Sequence, residues 1–209
     1  MQGELLRESQ RGLPEERLRP DRSRTDCPVL LSERLVLRAP HTEDIDALAH
    51  LANNANVATM VSRMPHPYTV NDAADFVRRA AHGEIGKCVY AITTAETGHF
   101  LGCCGVEPVN DSTVEIGYWL GEPYWNKGYM TEAVHVLIDM IFRTRDIEYI
   151  DARCRVMNIG SRRVIQKSGF QFQGSAMFPS LAMGGLVPVE WFRLDRKTWI
   201  SLRSWGGMR

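Results

Sequence analysis

The chain has 209 residues, 44% of them hydrophobic, which is enough to bury one full core and predicts a single domain. Its 25 basic and 25 acidic side chains balance, so bulk charge announces neither a nucleic-acid binder nor a membrane-surface protein. Five cysteines (Cys27, Cys88, Cys103, Cys104 and Cys154) form an odd set without CxxC spacing, signal neither a disulfide framework nor a zinc site, and read as reduced thiols packed like small apolar residues. The six histidines show no ligand spacing either, so no metal is implied. No apolar run approaches the roughly 20 residues of a membrane span, and the N-terminus lacks an apolar signal-peptide core; the expected location is cytoplasmic.

Residues 1–28 hold six arginines and six acidic residues with little apolar period, and are expected to form a poorly structured leader. Residues 29–200 read as one domain and 201–209 as a short tail. In "ERLVLRAP" (33–40) Leu35 and Leu37 alternate as in a half-buried strand that Pro40 ends. Thr42 is expected to cap a helix with Ile45, Leu48, Ala49 and Leu51 on its inner side. Pro65-His66-Pro67 forces an extended loop, after which "TVNDAADFVRRAAHG" restarts a helix that Gly83 closes. "CVYAIT" and "HFLGCCGVEP", joined by the polar "TAETG", predict a hairpin, and "STVEIGYWL" (112–120) a third strand. A helix over 131–143 turns Ala133, Val134, Leu137, Ile138 and Ile141 to one side. "EYIDARCRV" is a strand, "NIGSRRVIQKSG" a short helix capped at Ser161 and closed at Gly169, and "FQFQGSAMF" and "PVEWFRLD" a last pair of strands. This order gives an α/β (α+β) fold with a mixed, mostly antiparallel sheet. A doubly wound dinucleotide fold is excluded, because only one strand-helix-strand crossover is evident.

Between the third strand and its helix lies "YWNKGYMTEA" (124–133). A helix starting just after Gly128 offers unpaired backbone N–H groups and the positive end of its dipole, which suit a phosphate. Close approach to a phosphate needs a left-handed or side-chain-free position, and Asn126 and Gly128 are the residues able to supply one; Lys127 adds a positive charge. The plain alternative is an ordinary helix start with a solvated lysine. Neither GxxxxGK[ST] nor GxGxxG occurs.

"EIGYWLGEPYWNKGYMTEAVHVLIDMIF", followed after a strand by "NIGSRRVIQKSGF", resembles the GNAT N-acetyltransferases, and within them the RimJ/RimL-like group. "LLSERLVLRAPHTEDIDAL" is similar to the group's opening strand and helix, so the resemblance spans about 30–199. It implies a strongly twisted mixed sheet flanked by about four helices, whose fourth and fifth strands splay apart to admit acetyl-CoA as co-substrate. The pyrophosphate loop then falls on Trp125, Asn126, Lys127, Gly128, Tyr129 and Met130, with Thr131 opening the supporting helix. Asn126 and Met130 stand where the group usually has small residues, and a long side chain at 130 must point away from the pyrophosphate or crowd it.

Acetyl transfer to an amine needs a base for the amine, donors for the carbonyl oxygen and a proton source for the leaving thiolate. Glu115 stands where several GNAT enzymes carry the base; the alternative is a strand-end carboxylate paired with a nearby arginine. If it lines a dry cleft, its pKa should rise. Alternation puts Glu115, Gly117 and Trp119 on one face and Ile116, Tyr118 and Leu120 on the other. By resemblance, backbone groups near Trp119 and Leu120 pair with the pantetheine, Asn158 contacts the same arm and Ser161 is the proton donor. The residue-level alternatives are a turn for Asn158 and a helix cap for Ser161. Ile165 occupies the position of the tyrosine acid used elsewhere in the superfamily. The expected partner is an amine acceptor, a protein N-terminus or a small molecule, with no membrane and no nucleic acid, for a monomer or homodimer. The segments 53–70 and 175–188 are expected to select the acceptor; Arg63 and Glu190 could touch it, and neither is assigned. A non-catalytic acyl-CoA-binding module of the same fold is the alternative function, motivated by Asn126 and Met130.

Overall fold

A computed structural model describes residues 27–206. Most of the expected leader, residues 1–26, and the last three residues of the expected tail lie outside the described residues. The alternation of "ERLVLRAP" becomes β2 (Leu35–Arg38), with Leu35 and Leu37 fully buried, and the two-residue β1 (Leu30–Leu31) pairs beside it. Then follow β3 (Cys88–Thr94), β4 (Phe100–Asn110), β5 (Thr113–Leu120), β6 (Tyr149–Arg155), β7 (Gln171–Ser180) and β8 (Gly185–Asp195). Together they make an eight-stranded sheet in the order β1-β2-β3-β4-β5-β6-β8-β7. The β5–β6 pair is parallel and the other pairings are antiparallel. A parallel neighbour requires a crossover, which α4 (Tyr129–Thr144) supplies.

Helices cover both faces. On one, Ala133, Val134, Leu137, Ile138 and Ile141 of α4 are buried against Leu37, Tyr90, Ile116 and Ile150, as the helical period of the sequence predicts. On the other, α1 (Ile45–Ala52), α2 (Ala55–Ala58) and α3 (Val70–Ala81) pack on Ala91, Phe100, Cys103 and Trp119. Among the described residues no helix is long and apolar enough to cross a membrane.

The pairing of β5 with β6 stops early. Thr113–Ile116 match Tyr149–Ala152, but Gly117–Leu120 have no partner on β6, and beyond Ala152 that strand pairs only with β8. The two strands therefore part; without the short β1 they are the fourth and fifth of the sheet.

Several expected helix ends are corrected. Thr42 does not cap α1: Thr42–Asp44 form a 3-10 turn, because the Asp44 carboxylate accepts the His41 N–H at 2.7 Å and both guanidinium ends of Arg38 at 2.8 Å. Nor does Ser161 cap α5 (Ile159–Lys167); Asn158 does, its Oδ1 accepting the Ser161 N–H at 2.9 Å. The expected tail is helical up to Gly206: α6 (Arg196–Gly206) runs straight out of β8, with Asp195 accepting the Thr198 N–H at 2.8 Å. It docks on α4 through Trp199, whose ring centroid lies 5.1 Å from that of Phe142 and whose N–H donates to Asp139.

Candidate active site

The parting of β5 and β6 opens a cavity of about 1040 Å³, lined by β5 from Glu115 onward, the 124–131 loop, the end of β6 and the start of α5. Pairing with β6 does not continue beyond Ile116, so this edge of β5 is available to another chain of hydrogen-bonding groups.

At its mouth the loop is tightly determined. The Trp125 indole N–H donates to the Leu120 carbonyl at 2.8 Å, so this bulky residue is a strut across the loop. Asn126 has φ 60° and Gly128 φ 81°, the left-handed conformation that the sequence assigns to these two positions. A Cβ at Gly128 would meet only Arg34 Nη2, at 3.4 Å, so conformation rather than crowding calls for glycine there. Gly128 is the N-cap of α4 and, having no side chain, leaves the first N–H groups of the helix without a side-chain acceptor. By contrast Thr69 caps α3 and Asn158 caps α5.

The turn before β2 braces this loop. Glu132 accepts from Ser32 Oγ (2.7 Å), the Arg34 N–H (2.8 Å) and Arg34 Nε (2.7 Å), while Arg34 Nη1 donates to the Lys127 carbonyl at 3.1 Å. Arg34 also stacks on Tyr129, and the Lys127 ammonium lies 5.9 Å from the Tyr124 ring centroid. Burial acts to raise the Glu132 pKa, but the bonds from Ser32 and Arg34 outweigh it and hold the carboxyl below its ordinary value. Met130 is 7% exposed and packs among the core side chains, while its remaining surface lines the cavity. Thr131 lines the cavity, half-buried.

Deeper in, Glu115 faces the cavity with Arg153 at 3.0 Å. Burial raises its pKa, Arg153 opposes this, and the net shift is upward. Both readings of Glu115 thus have a physical counterpart: an arginine partner, and the burial that suits a base. On the other face of β5 the hydroxyls of Tyr118 and Ser161 lie 2.9 Å apart. Burial pushes the Tyr118 phenol well up, with the Ser161 bond acting against it. Burial likewise lifts the neighbouring Cys154 thiol to about 11. Asn158 lines the cavity with its Oδ1 engaged at the helix cap, and Ile165 is buried in the core. The splay therefore brings Glu115, Trp119, Leu120, the 125–131 loop, Asn158 and Ser161 around one cavity, with the Lys127 side chain exposed at the rim.

The two segments expected to select an acceptor meet, the Leu181 N–H donating to the Ser62 carbonyl at 2.9 Å. Arg63 pairs with Glu107, and Glu190 with Arg162 at 2.7 Å. Three cavity residues are given no role by the sequence reading: Tyr118, which it only places on a strand face, Arg153 and Arg155. Alternation alone puts Tyr118 on the face opposite Glu115; only the packing of α5 over that face brings Ser161 to it.

Residues 34–171 match the family model described as an acetyltransferase (GNAT) domain. An uncharacterized N-acetyltransferase, p20, of Bacillus licheniformis is 29% identical over 174 residues, 80% of this chain and 96% of that protein. An acetyltransferase (GNAT family) from Bacillus anthracis superposes with a TM-score of 0.72 at 20% identity, covering 81% of this chain and 99% of that one. RimL, a ribosomal L7/L12 alpha-N-protein acetyltransferase solved with coenzyme A, gives 0.67 at 21% identity over 80% and 98% of the two chains. Sheet order, strand parting and the family match agree: the chain belongs to the GNAT acetyltransferase family and is an acyltransferase.

Proposed function

We propose that the protein is an acetyl-CoA-dependent N-acetyltransferase that passes the acetyl group directly to a primary amine, of a protein N-terminus or a small molecule, in a ternary complex. The observation that carries this reading is the uncapped, left-handed start of α4 at Asn126–Gly128, set beside the unpaired edge of β5. The backbone N–H groups around 128–131 hold the pyrophosphate, with Trp125, Lys127, Tyr129 and Thr131 shaping the loop. An N–H near Trp119 or Leu120 polarises the thioester carbonyl. Acetyl-CoA supplies the acetyl thioester. Glu115 takes the proton from the amine as its nitrogen bonds to the carbonyl carbon, and Ser161, hydrogen-bonded to Tyr118, gives one to the sulfur as the C–S bond breaks. Asn158 supports the pantetheine arm from the start of α5.

Two observations speak for the catalytic reading over the non-catalytic alternative: Asn126 adopts the left-handed backbone without glycine, and Met130 packs largely among the core side chains. The test is release of free CoA thiol by the purified chain, together with protection against heat unfolding by acetyl-CoA. Release should depend on an added primary amine and fall by at least about tenfold in Glu115→Gln and in Ser161→Ala. Slow hydrolysis indifferent to every amine and to both substitutions would establish the non-catalytic module instead.

A further inference from the structure

Of the charged side chains that line the cavity, Arg63, Glu107, Glu115, Arg153 and Arg155 come from β4 to β6 and the 53–70 segment, and Arg79, Arg163 and Lys167 from helices α3 and α5. Both carboxylates already have an arginine, Glu107 with Arg63 and Glu115 with Arg153. Among these strand and 53–70 residues, Arg155 is the cation left over. Its Nη1 donates to the Thr59 carbonyl at 2.6 Å, its Nη2 only grazes Met157 Sδ at 3.9 Å, and its Nε is buried without an acceptor. Among the described residues no carboxylate pairs with it, so one end of the guanidinium is pinned while most of its five donors remain unused.

Its position is defined by the strands. Arg155 lies two residues beyond Arg153 on the same face of β6, about 7 Å further along the strand from the residue that touches Glu115. Across the gap stand Gly117 and Trp119 of β5, on the same face as Glu115 and without partners on β6. A Cβ at Gly117 would meet nothing within 4 Å, so the space between Glu115 and Arg155 is open. A molecule spanning it would meet a carboxylate of raised pKa at one end and an unpaired guanidinium at the other. A polyamine would bring a second positive charge beside Arg155, where both nearby carboxylates are already engaged.

We infer that Arg155 is a specificity-determining residue that holds a carboxylate of the acceptor, so that the acetylated amine belongs to a molecule carrying a carboxylate a few bonds away, as in an amino acid or an acidic peptide N-terminus. The planar fork of arginine suits a carboxylate, and a charge-assisted contact in this half-buried setting should favour such acceptors by about tenfold or more. This inference rests on the acetyl-transfer reading above.

The experiment compares matched acceptors with the full chain, following CoA thiol release and referring rates to the neutral amine. One arm pairs α-amino acids with their α-carboxamides; the other pairs peptides with Glu or Gln at the second position; spermidine serves as the polycation. In the wild type kcat/KM should favour the carboxylate member of at least one pair by about tenfold or more, through KM rather than kcat, and the arm showing it identifies the source. The ratio should collapse toward one in Arg155→Gln and survive in part in Arg155→Lys. Equal use of both members, or a preference for spermidine, overturns the assignment, as does an equal loss on all acceptors in Arg155→Gln. Should Arg155→Gln fail to fold for want of the bond to Thr59, the wild-type ratios and Arg155→Lys still decide. A wild type that binds acetyl-CoA yet transfers to no amine overturns the acetyl-transfer reading itself, whereas transfer without preference overturns only the role of Arg155.

Discussion

Met130 stands where a small residue is expected in the phosphate loop, and its burial among the core side chains explains how the chain tolerates it. The backbone N–H can serve the loop while the thioether fills the space under α4. Met130→Ala should therefore cost about 2–5 kcal/mol in denaturant unfolding and leave acetyl-CoA affinity unchanged or weaker. A tightened affinity would show that the side chain crowds the site. At Glu115 the raised pKa has two consequences of definite sign. A base must be deprotonated, so kcat/KM should rise with pH through that raised value, and Glu115→Gln should remove this limb of the profile. A folded-state carboxyl pKa above the ordinary 4.5 favours the folded state when protonated, a contribution present below about pH 4.5 and lost as pH rises through the raised value. Replacement by Gln should flatten that part of the stability curve. Asn126 and Gly128 are legible in the sequence because few residue types tolerate a positive φ. The Tyr118–Ser161 contact is not, since it joins residues 43 apart that only the docking of α5 on β5 brings together.

An element reads clearly from sequence when its own residues settle its period and its ends. β2 alternates, Thr69 and Asp72 form a capping box for α3, and α4 turns one apolar side inward; each stands where its pattern puts it. Ends satisfied by distant groups do not read this way. Four-residue α2 is too short to show a period, and Asn54 and Asn56 at its start both donate to Glu122. The α6 start is hidden because Asp195 ends a strand and caps a helix at once, although an aspartate three residues before a threonine is a usable cap signal. The brace behind the phosphate loop is of the same distant kind, with Glu132 of α4 reaching back to Ser32 and Arg34. Because Arg34 is well exposed, the ion pair itself adds little, and the value of Glu132 lies in the two backbone segments it joins. Glu132→Ala should cost about 1–2 kcal/mol of stability and weaken acetyl-CoA binding severalfold, as calorimetric titration would show. Glu132→Gln should keep more of the affinity, having an oxygen for one of these donors.

The sheet separates two cores, one under α4 and one under α1–α3, and charged pairs tie neighbouring elements together. Asp151 of β6 holds Arg193 of β8 in a two-bond fork at 2.7 and 2.8 Å. Asp44, only 4% exposed, does the same for Arg38 and so fastens β2 to the start of α1. Burial acts to raise the Asp44 pKa, yet the bonds from Arg38 and the His41 N–H prevail and lower it. A depressed carboxyl pKa stabilises the fold above its unfolded value, near the ordinary 3.8, and this stabilisation is lost as pH falls through the lower folded value. Asp44→Asn leaves Arg38 charged and half-buried without its counterion, and at neutral pH it should cost about 3 kcal/mol, or roughly 6–12 °C in the unfolding temperature. The gap to the wild type should then close as pH falls below 3.8 and through the lower folded value, where the wild-type carboxyl also becomes neutral. A gap that stays constant with pH would assign the loss to the His41 turn instead of the ion pair. Replacing both partners, Arg38→Met with Asp44→Leu, should recover most of the loss, because the penalty comes from a stranded charge and not from a missing attraction. If the double variant is as unstable as Asp44→Asn, the pair has a positive role in setting β2 against α1 that apolar packing cannot replace.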